Sequence, residues 1–165
     1  MSTNKVEPYD HEMEATPPPW VHPRDIRDMF SYRLALLTRI NDRQAHNMLV
    51  STYRITLGEW RTLAVVQYLG KPSLRAVARA TQQDEGQLSR YVAGLIKRGL
   101  LTKTVSSEDR RSIDLMLTDE ARKLYDEVMM VAWELNREMF VDLSEDEQRQ
   151  LVQLLDKLFR SITRL

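Results

Sequence analysis

The sequence predicts a mainly α-helical fold that carries a small antiparallel β hairpin, with long helices toward both ends of the chain. Most of the chain repeats its apolar residues with the helical period of about 3.6 residues. Residues 101–105 and 112–117 instead alternate as two strands do, and the charged segment 106–111 joins them. Only five glycines occur in 165 residues, so few positions interrupt the predicted helices.

The composition excludes several classes of protein. A chain of 165 residues can form one domain with a sizeable core, and its apolar fraction of 42% is ordinary for a globular protein. The absence of cysteine excludes disulfides and thiol chemistry. No apolar run approaches the roughly 20 residues that cross a bilayer, and the N-terminus lacks the pattern of a secretion signal. We therefore expect a soluble, cytoplasmic protein.

The segment 1–23 predicts a flexible N-terminal arm, because it contains three consecutive prolines and several acids but few aliphatic side chains. Such an arm is either a solvated tail or a cover over a neighbouring subunit. Its two histidines, His11 and His22, are poor candidates for metal ligands because they lie in this arm.

Two helices are predicted between this arm and the central segment. The first runs from Asp25 to about Val50. Its apolar stripe consists of Ile26, Met29, Phe30, Leu34, Leu37 and Ile40. The second begins at Thr56, which is placed to form a capping box with Glu59, and it ends at Gly70. Along this second helix lie Trp60, Leu63, Ala64 and Tyr68.

The central segment, residues 73–117, predicts two short helices followed by the hairpin. Ser73 is placed to cap the first short helix. The second runs from about Asp84 to Arg98 and ends at Gly99. Its apolar positions follow the spacing i, i+3, i+4 and are Leu88, Tyr91, Val92, Leu95 and Ile96. The opposite face carries polar and basic side chains that are available to a partner.

Two further helices follow the hairpin. One begins at Thr118 and extends to about Phe140, and the last begins with a second capping box, from Ser144 to Glu147. The apolar residues of the last helix nearly form a heptad seam and are Leu151, Leu154, Leu155, Leu158, Ile162 and Leu165. A lone helix would expose this seam. We expect it to pack on a partner subunit or, alternatively, on the protomer's own first helix.

The formal net charge is zero, but the charges are unevenly distributed. Between Arg61 and Arg111 there are ten Lys or Arg and four Asp or Glu, so this segment carries +6 and the remainder carries −6. A basic segment inside an acidic chain is typical of nucleic-acid binding. A chance cluster on a solvated face is the alternative.

The motifs LSR, KRGLL, DRRS and LTDEA follow one another between Leu88 and Ala121. In this order and spacing they resemble the winged helix-turn-helix of the MarR family of bacterial transcription regulators, over roughly Arg24 to Leu165. The resemblance implies a homodimeric repressor that binds a palindromic operator and is released by a small ligand. It implies a helical dimerisation region (24–55 and 118–165) and a winged helix-turn-helix DNA-binding region (56–117), in which the hairpin is the wing.

In a helix-turn-helix, side chains near the start of the recognition helix contact base edges in the major groove. Gln can bond adenine and Arg can bond guanine, although Arg90 could instead bind a phosphate and the glutamines could be solvated surface. Arg110, beside Asp109, is the candidate for the minor groove. The candidate DNA-binding residues are Arg61, Ser73, Arg75, Arg79, Gln83, Gln87, Ser89, Arg90, Lys97, Arg110 and Arg111.

Two positions depart from the family pattern. Gln83 occupies a turn position where these proteins usually have an apolar residue. Gly86 lies in the first turn of the recognition helix, where it costs about 1 kcal/mol relative to alanine.

In the resembling family, effectors often bind between the dimerisation helices and the winged region. The candidate lining here is Tyr32, Arg33, Leu36, His46, Arg54, Trp60, Met129 and Trp133. Arg33 interrupts an apolar face, and a buried guanidinium requires a partner. An aromatic acid or its acyl thioester would supply one. Alternatively, Arg33 pairs with Asp28 or Asp126, or faces solvent, and the aromatic side chains belong to the core.

Enzymatic activity and a protein-interaction role are the two rival functions. The sequence shows no glycine-rich phosphate loop, no catalytic triad spacing and no metal-ligand spacing, so we expect no enzymatic activity, cofactor or metal site. A helical dimeric protein-interaction module without sequence-specific DNA binding is the second rival. It would not require ten basic residues between Arg61 and Arg111.

Overall fold

A computed structural model describes residues 22–105 and 113–164 of the chain. Most of the predicted N-terminal arm and the tip of the predicted wing, including Arg110 and Arg111, lie outside these ranges. The elements in chain order are a 3-10 turn (Ile26–Asp28), α1 (Phe30–Met48), a π turn (Leu49–Tyr53), α2 (Leu57–Leu69), α3 (Leu74–Thr81), α4 (Glu85–Lys97), β1 (Leu101–Val105), β2 (Ile113–Leu117), α5 (Asp119–Glu138) and α6 (Glu145–Ile162).

The predicted fold class, mainly helical with one small antiparallel sheet, is confirmed. The helix starts are explained by local side-chain caps. Thr56 and Ser144 each form the predicted capping box, and the Ser73 hydroxyl accepts a hydrogen bond from the backbone of α3. Each of these caps satisfies an amide that the helix itself cannot satisfy.

The first helix begins later than the sequence predicted. Asp25 caps only the 3-10 turn, because its carboxylate accepts a hydrogen bond from the Arg27 amide. Met29 is extended and separates this turn from α1. At the other end, α1 passes into the π turn, and Arg54 then adopts a left-handed conformation with φ of 56°. This residue reverses the chain into α2.

The core lies between the π turn and the middle of α5. Its fully buried side chains include Leu63 of α2, Val77 of α3, Leu88 and Leu95 of α4, and Val128 of α5. The hairpin closes one side of this core, with strand residues paired in antiparallel register from 101 opposite 117 to 105 opposite 113. The α3 and α4 helices are therefore held on a single packed unit.

The hairpin is attached directly to the beginning of α3. The amide of Leu115 donates a hydrogen bond to the carbonyl of Pro72 over 2.9 Å, and Ser73 forms an isolated β-bridge with Asp114. These bonds join the wing to the helix-turn-helix without another strand.

The helices α1 and α6 contribute no buried residue to this core. The exposed apolar side chains of α1 and the turn before it are Ile26, Met29, Phe30, Leu34, Leu37 and Ile40. Those of α6 are Leu151, Val152, Leu154, Leu155, Phe159 and Ile162. Within the described residues α6 does not pack extensively against α1, which does not support the alternative in which its seam packs on the protomer's own first helix.

Candidate nucleic-acid interface

The α3 helix presents a basic outer face. Val77 and Ala78 are buried against the core, while Arg75 and Arg79, one turn apart, are exposed. The Ser73 hydroxyl accepts a hydrogen bond from the Ala76 amide over 3.2 Å. The hydroxyl of Ser73 is therefore used to begin α3, and a phosphate at this helix start would contact backbone amides.

The turn between α3 and α4 places Gln83 differently from the other candidates. Gln82 is left-handed with φ of 51°, and the Gln83 amide donates to the Ala78 carbonyl over 3.3 Å. Gln83 is half-buried, and its Oε1 is buried without a hydrogen-bond partner among the described residues. To contact a base edge, as predicted, its side chain would have to turn outward.

The α4 helix presents the polar face that the sequence predicted. It is capped by Asp84, whose carboxylate accepts a hydrogen bond from the Gln87 amide over 3.0 Å. The packing of Leu88, Val92 and Leu95 fixes which side of the helix faces outward. The candidate residues left exposed on α4 are Gln87, Ser89, Arg90 and Lys97.

One exposed candidate, Gln87, already has a hydrogen-bond partner on its own helix. Its Nε2 donates a hydrogen bond to the Tyr91 hydroxyl over 2.8 Å. The half-buried Tyr91 ring lies against Gly58 of α2, where an added Cβ would overlap with the ring. Helical periodicity predicts Tyr91 only as an apolar position, although its spacing of four residues from Gln87 is a signal of this contact.

A second link between α2 and α4 was also missed. The Glu59 Oε2 closes the capping box, while its Oε1 lies 3.6 Å from the Arg98 Nη1. Gly94 lies beside the same carboxylate. The beginning of α2 thus contacts the C-terminal half of α4. A glutamate and an arginine 39 positions apart give no pattern that sequence periodicity would detect.

The predicted phosphate contact of Arg61 competes with an ion pair. The Arg61 Nη2 lies 2.5 Å from Asp42 Oδ1, so its guanidinium connects α2 to α1. A DNA phosphate would have to replace or share this carboxylate.

The predicted ligand lining is divided between half-buried and exposed positions. Tyr32, Leu36 and Trp60 are half-buried, and Trp60 stacks on Tyr125 with 5.5 Å between ring centroids. The exposed members of the predicted lining are His46, Arg54, Met129 and Trp133. The Trp60–Tyr125 stack joins α2 to α5 as part of the periphery of the core.

The guanidinium of Arg33 already has a hydrogen-bond partner within the chain. Its side chain is half-buried, and its Nε donates a hydrogen bond to the Arg27 carbonyl over 2.7 Å. The 3-10 turn supplies this acceptor, which the sequence pattern does not predict. Asp28, its predicted alternative partner, instead binds Arg24.

A groove of about 610 Å³ lies at the junction of α5 and α6. Trp133, Phe140, Val141 and Val152 form its apolar walls, and the Arg137 guanidinium lies 5.4 Å from the centre of the Trp133 ring. Of the predicted ligand lining, only Trp133 borders this groove.

The described residues also bear on metal binding and on membrane insertion. Across residues 22–105 and 113–164, no cluster of three or more histidine or acidic side chains could hold a metal ion. No helix in those ranges combines the length and apolarity needed to span a bilayer.

The sequence of the chain is also similar to those of known proteins. Residues 55–112 match the MarR family. The chain is 32% identical over 99 residues to the HTH-type transcriptional regulator BilQ of Clostridium symbiosum, a match that spans 58% of this chain and 69% of BilQ.

Two solved structures share the fold. The MepR–DNA complex of S. aureus has a TM-score of 0.73 at 21% identity, covering 84% of this chain and 99% of MepR. Bordetella bronchiseptica BpsR, whose DNA binding is regulated by 6-hydroxynicotinic acid, has a TM-score of 0.73 at 23% identity, covering 83% of this chain and 97% of BpsR. With the exposed polar face of α4 and the basic face of α3, the matches to the family and to BilQ identify the chain as a member of the MarR family, whose proteins regulate transcription and are not enzymes.

Proposed function

We propose that this protein is a ligand-responsive repressor that binds a palindromic operator as a homodimer. One observation carries the proposal: the exposed Gln87 and Arg90 of α4 adjoin a helix, α3, whose outer face carries Arg75 and Arg79. Amide and guanidinium groups on an outward helix face can bond base edges, while exposed arginines bind phosphates.

The same division of roles extends to the whole winged region. In this proposal residues 56–117 bind DNA, and Arg110 of the wing enters the minor groove. The MepR–DNA complex supports the proposal because a protein of this fold binds DNA. Such a regulator acts where the chromosome lies, in the cytoplasm.

The homodimer is supported by the apolar surfaces of the terminal helices. Leu37 of α1 and Leu154 and Phe159 of α6 are more than half exposed in the protomer. Helix faces that expose large apolar side chains in this way are typical of an obligate interface. Residues 24–55 and 118–165 would then form the dimerisation region.

The alternative is a dimeric interaction module without sequence-specific DNA binding. The exposed apolar faces of α1 and α6 would form the dimer interface of such a module equally well. The charge distribution favours DNA, because +6 is concentrated between Arg61 and Arg111 in a chain of zero net charge.

The proposed effector is an anionic aromatic compound or its acyl thioester, bound between α1, α2 and α5. The half-buried Trp60 and its stacked neighbour Tyr125 provide flat apolar walls, and Arg33 supplies a positive charge at α1. The regulation of BpsR by 6-hydroxynicotinic acid, an aromatic acid, supports this class. Because Arg33 already bonds the Arg27 carbonyl, a ligand carboxylate would have to replace or share that contact.

The proposal is tested by titrating the purified protein into labelled DNA from upstream of its own gene and into random DNA of equal length. We expect a preference of about 10³-fold or more for one palindromic segment at physiological salt. Equal affinity for both DNAs would favour the interaction module instead.

A further inference from the structure

The side chain of Gln87 is oriented before any DNA binds. Although Gln87 is exposed, its Nε2 donates to the Tyr91 hydroxyl one helical turn away, over 2.8 Å. A glutamine on a helix surface otherwise rotates freely about three side-chain bonds. This bond holds the carboxamide in one arrangement.

The hydroxyl that holds Gln87 is itself held by packing between two helices. The ring of Tyr91 lies against the backbone of Gly58, in the first turn of α2. A Cβ at position 58 would overlap with Cζ and Oη of the ring, so only glycine leaves room for Tyr91 there. Gly94, also at this helix contact, has room for a Cβ at an ordinary 3.4 Å from Glu59 Oε1.

The bond to Tyr91 limits which groups of the Gln87 carboxamide remain available to a base edge in this arrangement. A carboxamide has two N–H donors and one acceptor oxygen, and Tyr91 occupies one of the donors. The remaining N–H and the oxygen match adenine, which presents one acceptor and one donor in the major groove. Guanine presents two acceptors there and would require both N–H groups.

We propose that Tyr91 is a positioning residue that makes Gln87 select adenine over guanine at one base pair of each half-site, and that Gly58 provides the space for it. This inference rests on the proposed DNA-binding function. It adds Tyr91 as a residue that determines base specificity without itself needing to contact DNA.

The experiment measures relative affinities for a library of operators, each with one base pair changed. Changing the base pair that residue 87 contacts should lower the affinity of wild type but should change the affinity of Gln87→Ala much less. The base pair with the largest such difference is the one that residue 87 contacts. At that base pair, Tyr91→Phe should lower the adenine-over-guanine preference about tenfold, because a bidentate contact supplies discrimination of that order. Affinity for random DNA and the melting temperature should remain unchanged, because the ring is retained.

Two further variants separate positioning from a general structural role. Tyr68→Phe removes a hydroxyl from a tyrosine of α2 that is 85% exposed, and should leave the preference unchanged. In the Gln87→Ala background, Tyr91→Phe should have no further effect at this base pair, because the group that it orients is gone.

Gly58→Ala tests the packing step from the other side of the contact. It should displace the Tyr91 ring and reproduce the loss of preference, whereas the matched control Gly94→Ala should not. If wild type selects an operator but Tyr91→Phe keeps the full adenine-over-guanine preference, the inference is overturned while the proposed function stands. If wild type shows no sequence preference at all, both are overturned.

Discussion

At the residue scale, the outer faces of α3 and α4 offer two different kinds of contact. Arg75 and Arg79 carry charge that any phosphate backbone would attract, irrespective of sequence. Gln87 carries a neutral amide, which gains little from phosphates but can distinguish bases by its donors and acceptor. The two kinds of residue should therefore respond differently to substitution.

We predict that Gln87→Ala costs about 1–3 kcal/mol on the operator and little on random DNA. Arg79→Ala should weaken binding to both and reduce the salt slope by about one unit, because one fewer phosphate counterion is released. Fluorescence anisotropy at several salt concentrations measures the affinity for each DNA and the salt slope. Arg149→Ala, in an exposed arginine of α6, is the control and should change none of them. If each variant lost as much affinity for random DNA as for the operator, the division between a base-reading Gln87 and a phosphate-binding Arg79 would be refuted.

Arg110 lies outside the described residues, so its role stays a prediction from the sequence. Narrow A·T-rich minor grooves attract guanidinium groups because their negative potential is enhanced. Arg110→Ala should therefore lose most affinity on operators with A·T-rich flanks, measured against the same operators with G·C-rich flanks. A variant that distinguishes the two flanks as wild type does would exclude Arg110 from the groove.

At the element scale, the start of α6 depends on one carboxylate. Glu147 accepts hydrogen bonds from the Ser144 hydroxyl over 2.7 Å and from its backbone amide over 2.8 Å, and these bonds lower the pKa of Glu147 below its ordinary value. A lowered pKa in the folded state means that the carboxylate stabilises the helix fully above its unfolded pKa of about 4.3. This contribution is lost as the pH falls through the folded value.

We therefore predict that the first turn of α6 frays as the pH falls below the unfolded pKa of Glu147 and through its lower folded pKa, where the carboxylate becomes protonated. NMR titration of the Glu147 side chain, together with amide exchange in α6, would follow both events. Ser144→Ala should raise the pKa of Glu147 by removing the hydroxyl donor. An unaltered titration in that variant would show that the capping box does not set this pKa. Asp25 offers an internal comparison, because its hydrogen bonds from Arg27 lower its pKa to about 2.

At the scale of the whole molecule, dimerisation determines whether two recognition helices can bind one operator. Two such helices contact successive major-groove faces only when they lie about 34 Å apart. We predict that Leu155→Glu, on the exposed seam of α6, produces monomers and abolishes operator binding. The winged region should remain folded because α6 buries no residue in the protomer.

Sedimentation and circular dichroism would separate these effects. Gln153→Glu adds the same charge at a neighbouring exposed polar position and should remain dimeric. A Leu155→Glu protein that is a folded, DNA-binding dimer would contradict this interface.

The effector prediction belongs to the same scale, because a ligand between α1, α2 and α5 would change the spacing of the two recognition helices. A difference of about 3 kcal/mol in its affinity for the two dimer conformations would shift operator occupancy about a hundredfold. Aromatic acids and their acyl thioesters should be screened by operator release and calorimetry. If one releases DNA, Arg33→Ala should lose the response and keep DNA affinity. A normal response in Arg33→Ala would exclude it as the anchor.

The sequence by itself determined most of the helix starts, the strands and the family, but not the start of α1. Each cap joins residues only three positions apart, as in Thr56 with Glu59, so the relevant chemistry is contained in a few neighbouring letters. The outer face of α4 was also predictable, because helical periodicity separates the positions of Leu88 and Leu95 from that of Gln87.

Only the tertiary structure decided which side chains already have partners. Arg61 bonds Asp42 across 19 positions, and Tyr91 rests on Gly58 of another helix. Such pairs depend on how helices are placed relative to one another, which no local pattern specifies. The same holds for α6: periodicity revealed its apolar face, but only the packed chain showed that the protomer's own core leaves that face uncovered.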